Sequence, residues 1–299
     1  MLNGILNVYK ESGFTSNDVV AKLRGILRQR KIGHAGTLDP AAVGVLPVLL
    51  GGATRLSEWM MDHEKTYRAV LLLGVSTDTQ DMTGQVIRTW DGQLPDEDAV
   101  RSAVLSFQGG YDQLPPMYSA KQVNGKRLYD LARQGKEVAR SKVFVRIPSI
   151  RIEKMALPEV TILVDCSKGT YIRTLCHDIG EALGCGGAMK ELIRTRAGGL
   201  MIEDALPLGK IEEMARAGRI QEQVIPLEEM FLDFLRVRTP SEAAQKKLLN
   251  GNALTTEELS LPPGGAGDMI RLCKADGSFL ALYRFVPEKG QYIPYRMFL

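Results

Sequence analysis

Long apolar runs, paired cysteines and nucleotide-binding motifs are all missing from this sequence of 299 residues. The most apolar stretch, Ala41 to Ala53, has thirteen residues and contains Pro47, whereas a membrane-spanning helix needs roughly 20 apolar residues. The N-terminus has no basic region followed by a long apolar segment, so we expect no signal peptide. Neither G-x-G-x-x-G nor P-loop spacing occurs, which argues against a nucleotide cofactor. These absences predict a cytoplasmic protein that does not contact membranes.

Cysteine is scarce, and no two cysteines have C-x-x-C spacing. The chain contains four, at positions 166, 176, 185 and 273. Cys176-His177 followed by Cys185 could suggest a zinc site, but buried thiols in a reducing cytoplasm explain the pattern more simply. We therefore expect no metal and no cofactor.

Charge is nearly balanced over the chain but not along it. Hydrophobic residues make up 44% and charged residues 24%, as in ordinary globular proteins, and the net charge is +3. One segment, from 116 to 142, has a local net charge of +5, which is more than that of the whole chain. Its basic residues are Lys121, Lys126, Arg127, Arg133, Lys136, Arg140 and Lys142. Such clustering favours a nucleic-acid partner more than the overall charge does.

Strand and helix patterns alternate irregularly along the chain and predict an α+β fold. Caps and periodicity indicate a helix after Thr15-Ser16-Asn17-Asp18 and further helices at 96–107, 127–134, 171–183 and 210–217. Strands are predicted at 65–75 and 160–166. A hairpin turn is predicted at Asn124-Gly125, and a second turn at 51–55. From about Leu235, short apolar runs separated by Pro and Gly predict a small β-rich domain. The predicted domains are 1–234, with a basic insertion at about 115–142, and 235–299.

Asp39 lies in the stretch His34-Ala35-Gly36-Thr37-Leu38-Asp39-Pro40. Because proline is well suited to the first position of a helix, we expect a helix to start at Pro40, with Asp39 as its N-cap. A helix N-terminus favours negative charge, which would keep the carboxylate ionised, as a nucleophile must be. From the local sequence, Asp39 is either a capping residue or a nucleophile, and the two roles are compatible.

Three other side chains have alternative interpretations. Arg173, at a helix start, is unfavourably placed for the helix dipole and should reach a surface acid, an RNA phosphate or Asp39. Tyr67 is either a half-buried strand residue or a face on which an extruded base stacks. His34 is either a turn histidine or a wedge that hydrogen-bonds near a displaced base.

The segment from Gly33 to Pro40, followed by Ala42, Gly44, Leu46 and Pro47, resembles the catalytic motif of the TruB-type tRNA pseudouridine synthases. Four other blocks resemble the same family in the same order: Lys10 with Gly13–Ser16, Tyr67-Arg68 with Gly74–Thr79, Met117–Lys121, and Ser167–Thr174. Ordered blocks are far more specific than any single block. The match spans nearly the whole chain and is weakest after Leu235.

The resemblance implies a pseudouridine-synthase fold with a mixed, mainly antiparallel sheet and a C-terminal PUA-type RNA-binding domain. It implies that Asp39 is the nucleophile, that Arg173 pairs with it and that Tyr67 stacks on the target base. His34 would fill the space left by the flipped nucleotide, and Tyr171 and Leu192 would line the uracil pocket. The residues expected to contact RNA are Lys10, Lys121, Lys126, Arg127 and Lys168.

The implied reaction converts the T-loop uridine of tRNA (position 55) to pseudouridine after base flipping, without cofactor or metal. Asp39 would attack either C1′ of the ribose or C6 of the ring. Tyr67 is a candidate base for the C5 proton, although its ordinary pKa of ~10 argues against direct catalysis. We expect a monomer. The alternatives are a guide-RNA-dependent synthase component, against which the basic insertion argues, and a non-catalytic tRNA-binding or folding module.

Overall fold

The computed structural model describes residues 1–119, 122–123, 126–127 and 138–298. Its strands are β1 (Gly4–Lys10), β2 (Ile32–His34), β3 (Val43–Leu50), β4 (Lys65–Leu73), β5 (Val75–Thr77), β6 (Val86–Thr89), β7 (Tyr111–Gln113), β8 (Gln122–Val123), β9 (Lys126–Arg127), β10 (Val143–Val145), β11 (Ser149–Ala156), β12 (Glu159–Cys166), β13 (Gly187–Ala197), β14 (Leu200–Met201), β15 (Leu206–Pro207), β16 (Val224–Ile225), β17 (Leu235–Arg238), β18 (Leu254–Thr255), β19 (Met269–Cys273), β20 (Phe279–Val286) and β21 (Gln291–Met297).

The α-helices in the described ranges are α1 (Ser16–Ile26), α2 (Ser57–Met61), α3 (Glu97–Leu105), α4 (Ile172–Ala182), α5 (Leu208–Arg216), α6 (Glu242–Leu249) and α7 (Thr256–Leu259). Short 3-10 helices span Gly51–Leu56, Ile202–Asp204, Ile220–Gln223, Leu227–Phe231 and Pro287–Lys289. This mixture of helices and strands confirms the predicted α+β class.

A ten-stranded sheet forms the centre of the molecule, in the order β11-β12-β4-β13-β3-β1-β15, with β14, β16 and β2 pairing off this path. Most neighbours are antiparallel, but β13 pairs with β3, and β1 with β15, in parallel. The predicted mixed, mainly antiparallel sheet is confirmed. The strands β4 and β13 lie side by side in its middle, so residues such as Tyr67 and Arg194, which are paired across them, occupy its centre.

Local capping signals explain where the helices begin. Thr15 and Asp18 form a reciprocal capping box at the start of α1, and the Asp96 side chain accepts from the Ala99 amide at the start of α3. The helix predicted at 171–183 is α4, and Gly184, with φ 75°, follows its end. These helices confirm the predictions made from the same residues.

The C-terminal strands form a separate five-stranded sheet in the order β17-β19-β20-β21-β18. Leu282 of β20 and Phe298, which follows β21, are buried in the same apolar cluster as Ile5 and Val45 of the central sheet. The rings of Phe279 and Phe298 lie 5.2 Å apart at this junction. The predicted β-rich C-terminal region is therefore present, and it shares a core with the rest of the chain.

Two local predictions were wrong. Residues 51–55 lie in a 3-10 helix rather than a turn. No helix starts at Pro40, because Pro40 and Ala41 form a turn that leads directly into β3. The strands β8 and β9 pair on either side of the predicted hairpin turn. That turn at Asn124-Gly125 and most of the predicted helix at 127–134 lie outside the described residues.

Three findings concern the chemistry of the chain as a whole. The four cysteines are free and buried. Within the described ranges, no group of three or more His, Cys, Asp or Glu residues is placed to hold a metal ion. No helix of the described chain is both long enough and apolar enough to span a membrane.

Candidate active site

Asp39 lies on the loop between β2 and β3, and this loop is held from several sides. The Leu38 amide donates to Ser16 Oγ at 2.9 Å, and the Gly13 amide donates to the Pro40 carbonyl at 3.0 Å. Lys10 Nζ donates to the same carbonyl at 3.1 Å. The loop is thus fixed by the start of α1 and the end of β1. Asp39 caps no helix, which corrects the sequence-based expectation: its position comes from these distant contacts.

The Asp39 carboxylate pairs with a buried arginine. Arg173, in the first turn of α4, donates from Nη2 to Asp39 Oδ2 and from Nη1 to Asp81 Oδ2, the latter at 3.3 Å. The Arg173 side chain is 8% exposed and the Asp39 side chain 42%, so the carboxylate is fixed on one side and open on the other. Of the partners considered for Arg173, the structure places Asp39 at the guanidinium, together with the buried Asp81, which was not predicted.

No role was predicted for Asp81 from the sequence. Its Oδ1 accepts from Thr79 Oγ1 and from the Thr83 amide, both at 2.9 Å, and its side chain is 10% exposed. A buried carboxylate satisfied in this way keeps a fixed orientation. Asp81 therefore holds the guanidinium of Arg173, which in turn orients Asp39. The only signal available in the sequence was the dense run of Thr and Asp residues at 77–83.

A cleft of about 610 Å³ opens beside the free side of Asp39. Three residues predicted to act on the base line it, namely Tyr67 on β4, Tyr171 immediately before α4 and Leu192 on β13. Arg173 and Asp39 line the same cleft. Burial raises the pKa of the Tyr67 hydroxyl, so this group stays protonated at neutral pH. The structure thus brings together a carboxylate, two aromatic rings and an aliphatic side chain in a cleft large enough for a nucleobase.

Three buried cations lie next to the Asp39 loop, namely Arg194, Lys65 and Lys10. Arg194, on β13 and 1% exposed, donates from Nε to the Val45 carbonyl at 2.7 Å and from Nη2 to the Gly36 carbonyl at 2.9 Å. Gly36 has φ 89°, and a Cβ there would lie 3.3 Å from Arg194 Nη1, so glycine allows the loop to approach the guanidinium. Lys65 donates to the Met61 and His63 carbonyls. Burial lowers the pKa of Lys65 to about 8.

Lys10 was expected to contact RNA, and the structure contradicts this expectation. Its side chain is fully buried, and Nζ donates to the carbonyls of Glu11, Phe14 and Pro40 at 3.1, 2.7 and 3.1 Å. Burial lowers its pKa to about 8, and the charge of Asp39 partly opposes that shift. Lys10 therefore supports the Asp39 loop from inside the protein instead of facing solvent.

The remaining predicted residues lie around the cleft. Lys168 is on its rim, exposed, and pairs with Asp62 at 2.7 Å. His34 lies on β2, partly buried and outside the lining of the cleft, and its Nδ1 finds no hydrogen-bond partner in the described structure. Burial lowers the pKa of His34, so its ring is neutral at pH 7. Lys121 lies outside the described residues, and Lys126 and Arg127 belong to the short strand β9.

Comparisons with known proteins agree with this geometry. A family model described as the N-terminal domain of TruB family pseudouridylate synthases matches residues 24–172, and one described as the C-terminal domain of tRNA pseudouridylate synthase B matches residues 173–232. A protein named tRNA pseudouridine synthase B from Lachnoclostridium phytofermentans is 46% identical over 100% of both chains. One with the same name from Staphylococcus aureus is 41% identical over 97% of this chain and 96% of its own.

A solved structure also resembles this one. The crystal structure of a Cbf5-Nop10-Gar1 complex contains a chain that matches with a TM-score of 0.74 and 26% identity. The match covers 99% of this chain and 85% of that chain.

Proposed function

The chain belongs to the TruB family of pseudouridylate synthases, and we propose that it isomerises a uridine in the T-loop of tRNA (position 55) to pseudouridine. The observation that carries the proposal is the Asp39 carboxylate, fixed by Arg173 at the edge of an aromatic-lined cleft. The relatives named tRNA pseudouridine synthase B support tRNA as the substrate.

The reaction breaks the N1–C1′ bond of the uridine and forms a C5–C1′ bond. The C5 proton is lost and N1 gains a proton, so the product is an isomer of the substrate. If Asp39 attacks C1′ of the ribose, it displaces N1 and is itself displaced when C5 bonds to C1′; if it attacks C6 of the ring, it is eliminated as the C5 proton is lost and the C5=C6 double bond is restored. Arg173 keeps one carboxylate oxygen occupied and turns the other toward the cleft, so little conformational freedom is lost during the attack.

The uridine must leave its stack before it can reach Asp39, which costs a few kcal/mol. Tyr67 and Tyr171 offer faces and edges against which the uracil ring packs, and Leu192 contributes an aliphatic contact. Because the Tyr67 hydroxyl stays protonated until high pH, we assign it a packing and hydrogen-bonding role unless the bound uracil lowers its pKa. His34, neutral beside the loop, fills the space that the extruded nucleotide leaves.

Outside the cleft, we propose that Lys168, Lys121, Lys126 and Arg127 contact phosphates, so that binding weakens as salt concentration rises. We assign residues 1–234 to a catalytic domain, with an RNA-binding insertion at about 115–142, and 235–299 to a PUA-type RNA-binding domain. The protein acts as a monomer in the cytoplasm, where tRNA is processed.

The test is to incubate the purified protein with an unmodified tRNA transcript, without guide RNA, and to map pseudouridine at single-nucleotide resolution. We expect one modified uridine, in the T-loop. Product at a different position would contradict the T-loop assignment. Product that appears only with a guide RNA would support a guide-dependent component, and binding without product would indicate a non-catalytic module.

A further inference from the structure

A two-stranded ribbon, β7 paired antiparallel with β10, stands beside the cleft. Its register places Phe144 opposite Asp112 and Val145 opposite Tyr111. Because side chains alternate along strands, Tyr111, Gln113 and Val145 face inward, and Asp112 and Phe144 face outward. The burial agrees with this alternation, since Gln113 and Val145 are each 1% exposed and Phe144 is 61% exposed.

The inward face of the ribbon is fastened to the helix that carries Arg173. The Tyr171 amide donates to Gln113 Oε1 at 2.8 Å, and Gln113 Nε2 donates to the Tyr171 carbonyl at 3.0 Å. Tyr111 donates its hydroxyl to Asp178 Oδ2 at 2.8 Å. These contacts fix the ribbon relative to helix α4 and to the cleft that Tyr171 lines.

The outward face combines an exposed ring with positive charge. Lys142 and Arg146, which immediately precede and follow β10, are exposed, and neither forms an ion pair with any residue in the described ranges. Asp112 provides an opposing charge across the strand pair, and the Asp178 carboxyl on α4 also interacts with the charge of Lys142. An exposed phenylalanine flanked by cations is the arrangement in which unpaired nucleotides bind, with a base on the ring and phosphates on the charges.

The ribbon borders the rim of the cleft. Val143, on the inward face opposite Gln113, lines the cleft. The Arg146 amide donates to Ser167 Oγ at 3.0 Å, the Ser167 amide donates to the Arg146 carbonyl at 2.9 Å, and Ser167 also lines the cleft. The outward face therefore adjoins the cleft rim at Arg146, within reach of a nucleotide next to one bound in the cleft.

We propose that Phe144 is a stacking platform for an unpaired base adjacent to the extruded uridine, and that Lys142 and Arg146 contact the flanking phosphates. This inference rests on the proposed function in one respect, that the substrate is RNA. It assigns to the substrate a contact outside the uracil cleft, on a surface that extends from Lys142, the last residue of the basic segment, to Arg146.

The test compares Phe144→Ala and Phe144→Trp with the wild-type protein on an unmodified tRNA transcript. Because Phe144→Ala loses the base–aromatic stack, its dissociation constant for tRNA should be about tenfold higher than that of the wild type, whereas Phe144→Trp should retain the wild-type value. The rate of pseudouridine formation at saturating tRNA should stay near that of the wild type. Ile87→Ala, which removes an apolar side chain 66% exposed on β6, is the matched control and should bind normally.

The charged residues around Phe144 provide a second test, because removing the acidic residue and removing the basic residues should affect tRNA binding differently. Asp112→Asn removes a repulsion and should strengthen tRNA binding, whereas Lys142→Ala with Arg146→Ala should reduce the dependence of affinity on salt. Unchanged affinity in Phe144→Ala, an equal loss in Ile87→Ala, or altered self-association without altered tRNA affinity would overturn the proposal. Binding is measured without turnover, so a wild-type protein that binds through Phe144 but makes no pseudouridine would contradict only the proposed function.

Discussion

At the scale of single residues, the site depends on one guanidinium shared by two carboxylates. Asp39 is partly exposed, whereas Asp81 is buried and held by its own turn. The sequence pointed to Asp39 and Arg173 through their ordered family blocks. It did not indicate the role of Asp81 or Arg194, because each depends on contacts with residues far along the chain: Arg173 is 92 positions from Asp81, and Val45 is 149 positions from Arg194.

Lys65 provides a pH test at the same scale. Its pKa in the folded protein is about 8, below the ordinary 10.5, so between these values the unfolded chain binds the proton that the folded chain has lost. Stability should therefore rise with pH through this window relative to Lys65→Met. Buried cysteines and tyrosines with raised pKa values titrate in the opposite sense, so the difference between the two proteins isolates the lysine.

The measurement is denaturant unfolding of both proteins at several pH values from 7 to 10.5, with Lys154→Met as the control for loss of an exposed lysine. If the free energy of unfolding of the wild type, relative to that of Lys65→Met, stays constant or falls as pH rises, the lowered pKa of Lys65 is refuted.

At the scale of secondary-structure elements, helix starts that depend on a local cap were predicted correctly, whereas the direction of the chain after Asp39 was not. The capping residues Thr15 and Asp96 start helices as expected, because a cap contacts only its own first turn. Asp39-Pro40 has the same local signal, yet the chain turns there into β3. Hydrogen bonds from Lys10 and Gly13 to the Pro40 carbonyl stabilise this turn, and neither is visible in the local sequence.

Gln113 tests how the ribbon β7–β10 supports helix α4. Gln113→Leu leaves the Tyr171 amide without a partner and the Tyr171 carbonyl with the Leu175 amide alone, which should lower the free energy of unfolding by about 1–3 kcal/mol. The rate at saturating tRNA should fall as well, because Tyr171 lines the cleft. Denaturant unfolding and single-turnover assays check both effects. Gln108→Leu, an exposed site just before the ribbon, is the control, and equal behaviour of the two variants would exclude the supporting role.

At the scale of the whole molecule, the C-terminal sheet and the central sheet share one apolar cluster. The sequence indicated that the tail is β-rich, but the packing of Phe298 and Leu282 against the central sheet requires the assembled fold. The C-terminal region should therefore contribute to stability as well as to any RNA contact.

Phe298→Ala tests this coupling. Phe298 is 8% exposed, and its ring packs on Phe231 and Phe279, so its removal should cost about 3–5 kcal/mol of unfolding free energy. Leu232→Ala, at a side chain 63% exposed, is the control and should cost little. If Phe298→Ala weakens tRNA binding without lowering the free energy of unfolding, packing in the shared cluster does not stabilise the fold.

The central claim is that Asp39 is the nucleophile, and its most direct test is single-turnover pseudouridine formation by Asp39→Asn with an excess of enzyme over tRNA. The amide preserves the size of the side chain but is a poor nucleophile, so we expect a rate at least about 10³-fold below that of the wild type. The tRNA dissociation constant should change little. A variant that binds tRNA normally and still forms pseudouridine at close to the wild-type rate would contradict the account.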